Sequence, residues 1–142
     1  MTPQIQTEGE FKGWQYWPEE PFESLAGPFY RTVDEDGVIG AFRAEPKHLN
    51  SAGAVYGGCL TTFADFMLFS IAWDAFEDGS MGVTMTLNTE FLDGAREGEL
   101  VTSRGEVTRM GKTTIFVRGM IYSDDRPVMS YSGSIRRFTP RV

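Results

Sequence analysis

From Gly58 to Phe76 the chain is apolar on nearly every side of a helix. Cys59, Leu60, Phe63, Ala64, Phe66, Met67, Leu68, Phe69, Ile71, Ala72, Trp73 and Phe76 leave no wide polar stripe. A helix that is hydrophobic all round must be buried. A stretch of roughly 18 to 20 residues is also long enough to span a membrane. Asp65 near its middle, with Thr61, Thr62, Ser70 and Asp74, points to a soluble core instead. The segment therefore predicts one central helix that everything else must cover, and it marks Asp65 as the odd residue in it.

What covers the helix is strand. Pro28 to Val33 and Val38 to Ala44 flank Asp34-Glu35-Asp36-Gly37, a hairpin signal because Asp-Gly suits a tight turn. Gly79 follows the helix where the chain needs a left-handed residue. Val83, Met85, Leu87 and Phe91 then alternate with Thr84, Thr86, Asn88 and Glu90, the period of a strand with one apolar face. Further strands are expected over Leu100 to Arg109, Thr113 to Ser123 and Val128 to Phe138. Residues 1–26 are rich in aromatics, with Phe11, Trp14, Tyr16, Trp17 and Phe22, and Pro18 and Pro21 interrupt any long helix there. These rings are expected to cap the main core, with the wall of an apolar ligand pocket as the alternative.

The pattern predicts a single α+β domain over residues 1–142. One long buried helix is wrapped by a curved antiparallel sheet of about five to six strands, which is the logic of a hotdog fold. A lone subunit would leave strand edges and one side of the helix open, so a homodimer is expected, with a homotetramer as the alternative.

Composition removes several function classes. A net charge of −7 argues against nucleic acid, since no basic patch exists to neutralise phosphates. One cysteine, Cys59, and one histidine, His48, exclude an internal disulfide, a cysteine cluster and a histidine-rich metal site. No Gly-x-Ser-x-Gly elbow or phosphate-binding glycine loop is present. The first ten residues carry neither a basic region nor an apolar run, so a cytoplasmic protein is expected.

Asp65 has Thr61, Thr62, Leu68 and Phe69 as its helical neighbours, and no Lys or Arg occurs from His48 to Ala95. A carboxylate buried without a cation is poorly solvated, which suits a general base or nucleophile. A structural aspartate, hydrogen-bonded at a helix contact, fits equally well. Gly57-Gly58 open the helix, where free N–H groups and the helix dipole can stabilise an oxyanion, or where glycines simply turn the chain. Asp65 lies eight residues beyond Gly57, a rise of roughly 12 Å. If both act on one substrate atom, they must come from two subunits with antiparallel helices. His48 reads as a loop or backbone-capping histidine, against a direct chemical role.

Taken together, His48-x-Asn50-x-x-Gly53-x-Val55-Tyr56-Gly57-Gly58, Asp65 in Thr-Phe-Ala-Asp-Phe, Gly82-Val83-Thr84, Phe91-Leu92-Asp93-Gly94-Ala95 and Arg109-Met110-Gly111-Lys112-Thr113 resemble the PaaI-like hotdog-fold acyl-CoA thioesterases. The resemblance covers about Phe29 to Phe138. It implies hydrolysis of an acyl-CoA thioester, medium-chain or aryl, with no cofactor beyond the coenzyme A of the substrate itself. Carried over by position, Asp65 would be the base or nucleophile and the Gly57 N–H would polarise the carbonyl. Asn50 would orient that carbonyl or the attacking water, and Thr84 would hold the water beside Asp65. Tyr56, Gly58, His48, Arg109, Gly111 and Lys112 would contact substrate, the last three near the coenzyme A phosphates. Tyr56 departs from the family, which usually carries histidine there; a phenol donates one hydrogen bond but lacks the second ring nitrogen. That departure supplies an alternative, a catalytically weak or inactive acyl-CoA binding module on the same fold.

Overall fold

The computed structural model describes residues 2–141. Two short strands, β1 (Gln4–Ile5) and β2 (Gln15–Tyr16), precede a six-residue helix α1 (Pro21–Ala26). Then come β3 (Tyr30–Asp34), β4 (Gly37–Arg43), the central helix α2 (Gly57–Ile71), β5 (Met81–Phe91), β6 (Leu100–Met110), β7 (Thr114–Ser123) and β8 (Arg126–Phe138). All pair antiparallel in one sheet of order β1-β2-β3-β4-β6-β7-β8-β5. The sheet therefore has eight strands rather than the five to six expected. The additional pair, β1 and β2, comes from the aromatic N-terminal segment, where two-residue strands leave no periodic signal to read.

The helix ends at Ile71, and Trp73–Phe76 continue it as a 3-10 turn before Gly79 adopts φ +86°. The buried face of α2 carries Leu60, Phe63, Ala64, Met67, Leu68 and Ser70. The helix is not enclosed on every side, because Asp65, Phe66, Phe69 and Ile71 remain partly accessible. Close approach of α2 to the sheet depends on missing side chains beneath it. A Cβ at Gly105 would meet the Arg118 carbonyl and Ile71, and one at Gly133 would stand 2.7 Å from Leu68. Phe29, Phe42 and Phe63 fill the opposite end of the core with ring centroids 5.0–5.3 Å apart, within the favourable range for aromatic packing.

Strand β5 departs from the single apolar face read in its alternation. Its register with β8 shifts between Thr84 and Thr86, so Met85 is a bulge and the side chains before it invert. Val83 and Met85 are each 51% exposed, whereas Thr84 turns toward α2. The strand is also an edge of the sheet, with β8 on one side and, among the described residues, no neighbour on the other.

Candidate active site

The loop before α2 is held by backbone bonds that place the first helical amides. Val55 N–H donates to the Ala95 carbonyl at 2.8 Å and Tyr56 N–H to the His48 carbonyl at 2.7 Å. Asn50 Oδ1 accepts from the N–H groups of Ala52 and Ala54 at 2.9 and 3.1 Å, an arrangement that closes the turn around Gly53 (φ +82°). The side-chain oxygen of Asn50 is thus engaged in its own loop, and its Nδ2 is the group left for a ligand. Tyr56 is the N-cap of α2 but makes no side-chain cap bond. No acceptor among the described residues meets the N–H of Gly57 or Gly58, so both amides, with the positive end of the helix dipole behind them, are open to an anionic oxygen. The Phe91 ring lies over Gly57, where a Cβ would stand 3.2 Å from it. Tyr56 is 61% exposed, and its ring flanks Gly58.

His48 proves to be structural. It is 4% exposed; its Nδ1 accepts from Glu45 N–H at 3.0 Å, so the unprotonated nitrogen is Nδ1 and Nε2 donates to the Ala26 carbonyl at 2.6 Å. With both nitrogens engaged, His48 is not available to substrate, contrary to its expected place among the contact residues. It ties the end of α1 to the loop that carries Gly57.

Asp65 sits two turns along α2 and is half-buried. Thr84 Oγ1 donates to Asp65 Oδ1 at 2.6 Å, while Thr61 and Thr62 bond instead to the carbonyls of Gly57 and Gly58. Among the described residues Asp65 Oδ2 has no partner and no cation pairs with the carboxylate. Asp65 opens onto a cavity of about 480 Å³. Its walls are Trp17 and Phe22 from the N-terminal segment, Phe29 just before β3, Phe66 and Phe69 from α2, and Trp73. Trp17 holds Phe66 and Trp73 by edge and tilted contacts at 5.8 and 5.5 Å. Arg31, 5% exposed, backs Trp73 with its guanidinium 4.6 Å from a ring centroid and donates to the Ser70 carbonyl. Burial lowers the Arg31 pKa. Two carboxyls, Glu20 and Glu23, also face the cavity. Burial pushes Glu23 up to about 7, and the neighbouring Glu20 adds to the rise.

The structure thus gathers the sequence-derived candidates into two groups. Asp65 and Thr84 meet at the cavity; Asn50, Tyr56, Gly57 and Gly58 meet at the helix N-terminus, about 12 Å away along one helix. Arg109, Gly111 and Lys112 join neither group. Arg109 lies near the end of β6 and Gly111 and Lys112 in the turn that follows, and Arg137 links the Lys112 carbonyl to that of Ala75, beyond the C-terminal end of α2. The cavity-facing Glu20, Glu23 and Trp73 carry no motif, and only the aromatic richness of residues 1–26 signalled a wall there.

The family model "Thioesterase superfamily" matches residues 52–130. A Pseudomonas aeruginosa protein named "Putative esterase" is 32% identical over 115 residues, 80% of this chain and 85% of its own. Human acyl-coenzyme A thioesterase 13 is 30% identical over 96 residues, covering 67% of this chain and 68% of its own. A Bacillus halodurans protein solved with CoA superposes with a TM-score of 0.72 at 25% identity, over 78% of this chain and 74% of that one. The eight-stranded sheet wrapped on α2 and these matches agree: the chain belongs to the thioesterase superfamily, as a PaaI-like hotdog thioester hydrolase.

Proposed function

We propose that this protein hydrolyses an acyl-CoA thioester, medium-chain or aryl, without a metal or bound cofactor, at two equivalent sites of a homodimer. The observation that carries the reading is Asp65: one carboxylate oxygen is held by Thr84, the other has no partner among the described residues, and the residue lines an aromatic cavity with room for an acyl group. The acyl chain enters that cavity and the thioester carbonyl lies near Asp65. Asp65 acts either as general base, taking a proton from water, or as nucleophile. Addition at the carbonyl carbon places charge on its oxygen and collapse breaks the C–S bond. With Asp65 as base, the proton it took from water passes to the departing coenzyme A sulfur. With Asp65 as nucleophile, the thiolate departs and leaves an acyl–Asp65 anhydride, which water cleaves to the free acid and the Asp65 carboxylate, the remaining proton going to the thiolate. Thr84 fixes the carboxylate and stands where it can hold the water.

The oxyanion donor is Gly57 N–H of a second copy, because the Gly57 of the same helix lies about 12 Å from Asp65. The unpaired edge of β5 supports that arrangement: Met81, Val83 and Met85 are all more than half exposed on it, and pairing two such edges antiparallel would extend the sheet and cover them. Asn50 Nδ2 and Tyr56, beside Gly57, are placed to orient the carbonyl. The exposed Arg109 and Lys112 meet the coenzyme A phosphates as solvated charges. Thiol release from a panel of acyl-CoAs tests the reading. Asp65→Asn is expected to lower kcat by at least about a hundredfold, and unchanged turnover would overturn it.

A further inference from the structure

The cavity that ends at Asp65 carries a second carboxyl that the hydrolytic chemistry does not use. Helix α1 is oriented against ordinary burial: Leu25 is 75% exposed, while Glu23 is half-buried and faces the cavity. Trp17, Phe66, Phe69 and Trp73 surround the same space. Among the described residues no cation pairs with the Glu23 carboxyl and no side chain donates a hydrogen bond to it. Burying an unpartnered carboxyl is costly, and such groups are normally matched by a donor. Among the described residues no Lys or Arg lines the cavity, whereas Glu20, Glu23 and Asp65 all do. The elevated pKa of Glu23 agrees with poor solvation there.

We propose that Glu23 is a specificity-determining residue which accepts a hydrogen bond from the far end of the acyl group, selecting acyl chains that end in a hydroxyl or an amine over unsubstituted ones and rejecting those that end in a carboxylate. This rests on the acyl group occupying the Asp65 cavity, as in the thioesterase reading above. The aromatic walls accommodate the body of the acyl group and are indifferent to its terminus. Discrimination therefore falls to the polar groups set among them, and Glu23 is the carboxyl there that burial leaves poorly solvated and the hydrolytic chemistry does not use. A site that hydrogen-bonds its ligand discriminates strongly against the analogue lacking the donor, because its own polar group is then left unpaired. A carboxylate terminus meets three carboxyls and no cation among the lining residues.

The test is calorimetric binding of non-hydrolysable thioether analogues of coenzyme A with matched acyl groups, ending in hydrogen, hydroxyl, amine or carboxylate. Turnover of the corresponding thioesters is measured in parallel. Native protein is expected to bind the hydroxyl or amine analogue at least ~10-fold more tightly than the unsubstituted one, and the carboxylate most weakly. Glu23→Met should erase the preference. Glu23→Gln, near-isosteric and keeping one acceptor oxygen, should retain preference for the hydroxyl and lose that for the amine; it serves also if the methionine variant does not fold. Equal binding of all analogues, no binding of any, or a preference that survives in Glu23→Met would overturn the proposal. Turnover without terminal selectivity refutes the role of Glu23 alone, whereas selective binding without turnover refutes the hydrolytic reading alone.

Discussion

Replacing Thr84 by valine isolates the contact that most directly tunes Asp65. The two side chains are nearly the same shape, so the change deletes one hydroxyl and the 2.6 Å bond to Asp65 Oδ1. A hydrogen bond to a charged group contributes about 1.5–3 kcal/mol, and each 1.36 kcal/mol corresponds to about a tenfold change in rate. Because both partners are only half-buried, the lower part of that range applies, and kcat should fall by about 10- to 30-fold. KM should change little, since the hydroxyl orients the carboxylate and the water rather than gripping the substrate. Thr84→Ser should restore most of the rate. Steady-state thiol release, with a denaturation curve for each variant, is the assay. A folded Thr84→Val enzyme with native kcat would refute the view that this bond holds Asp65 in its working position.

Other contacts give equally direct outcomes. Ser103 Oγ donates to the Met120 carbonyl at 2.9 Å, so Tyr131 O–H must donate to Ser103 at 2.7 Å; Ser103→Ala leaves that buried phenol unpartnered and should cost about 1–3 kcal/mol in urea unfolding, more than Tyr131→Phe. Arg126, with further bonds from Ser123 and the Arg96 N–H, holds Glu99 down to about pKa 2. A depressed acid stabilises the fold above its unfolded pKa near 4.5. Glu99→Gln should therefore be less stable than native at pH 7, with the gap in urea midpoint closing as pH falls from about 4.5 toward 2. For the proposed dimer through the open edge of β5, Val83→Asp puts charge on that edge and is expected to give a monomer in sedimentation velocity where the native chain sediments as a dimer, with loss of activity.

Much of this architecture was legible without coordinates. The all-round apolar run of α2 demanded a covering sheet, and the β3–β4 hairpin and the β6–β7–β8 meander followed from local turn chemistry and period-two patterning; the placement of β5 beside β8 rather than β6 did not, because it is a long-range pairing. Asp65 and Gly57-Gly58 stood out because a carboxylate in an apolar helix and paired glycines at its start are locally anomalous. Their separation within one helix also followed from the rise per residue alone.

Other features depended on partners distant in the chain. The bulge at Met85, which turns Thr84 inward and Val83 outward, arises from the register of β5 against β8, more than forty residues later. His48 became structural because the Ala26 carbonyl and Glu45 N–H converge on its ring. The cavity exists because α1 folds back beside Phe66 and Phe69, which sets Glu23 in the same space as Asp65. Local sequence specified which residues are helix, strand and turn, since periodicity and turn preference act over a few positions. Which polar groups share a low-dielectric space was decided only by packing, because that depends on contacts the linear order does not contain.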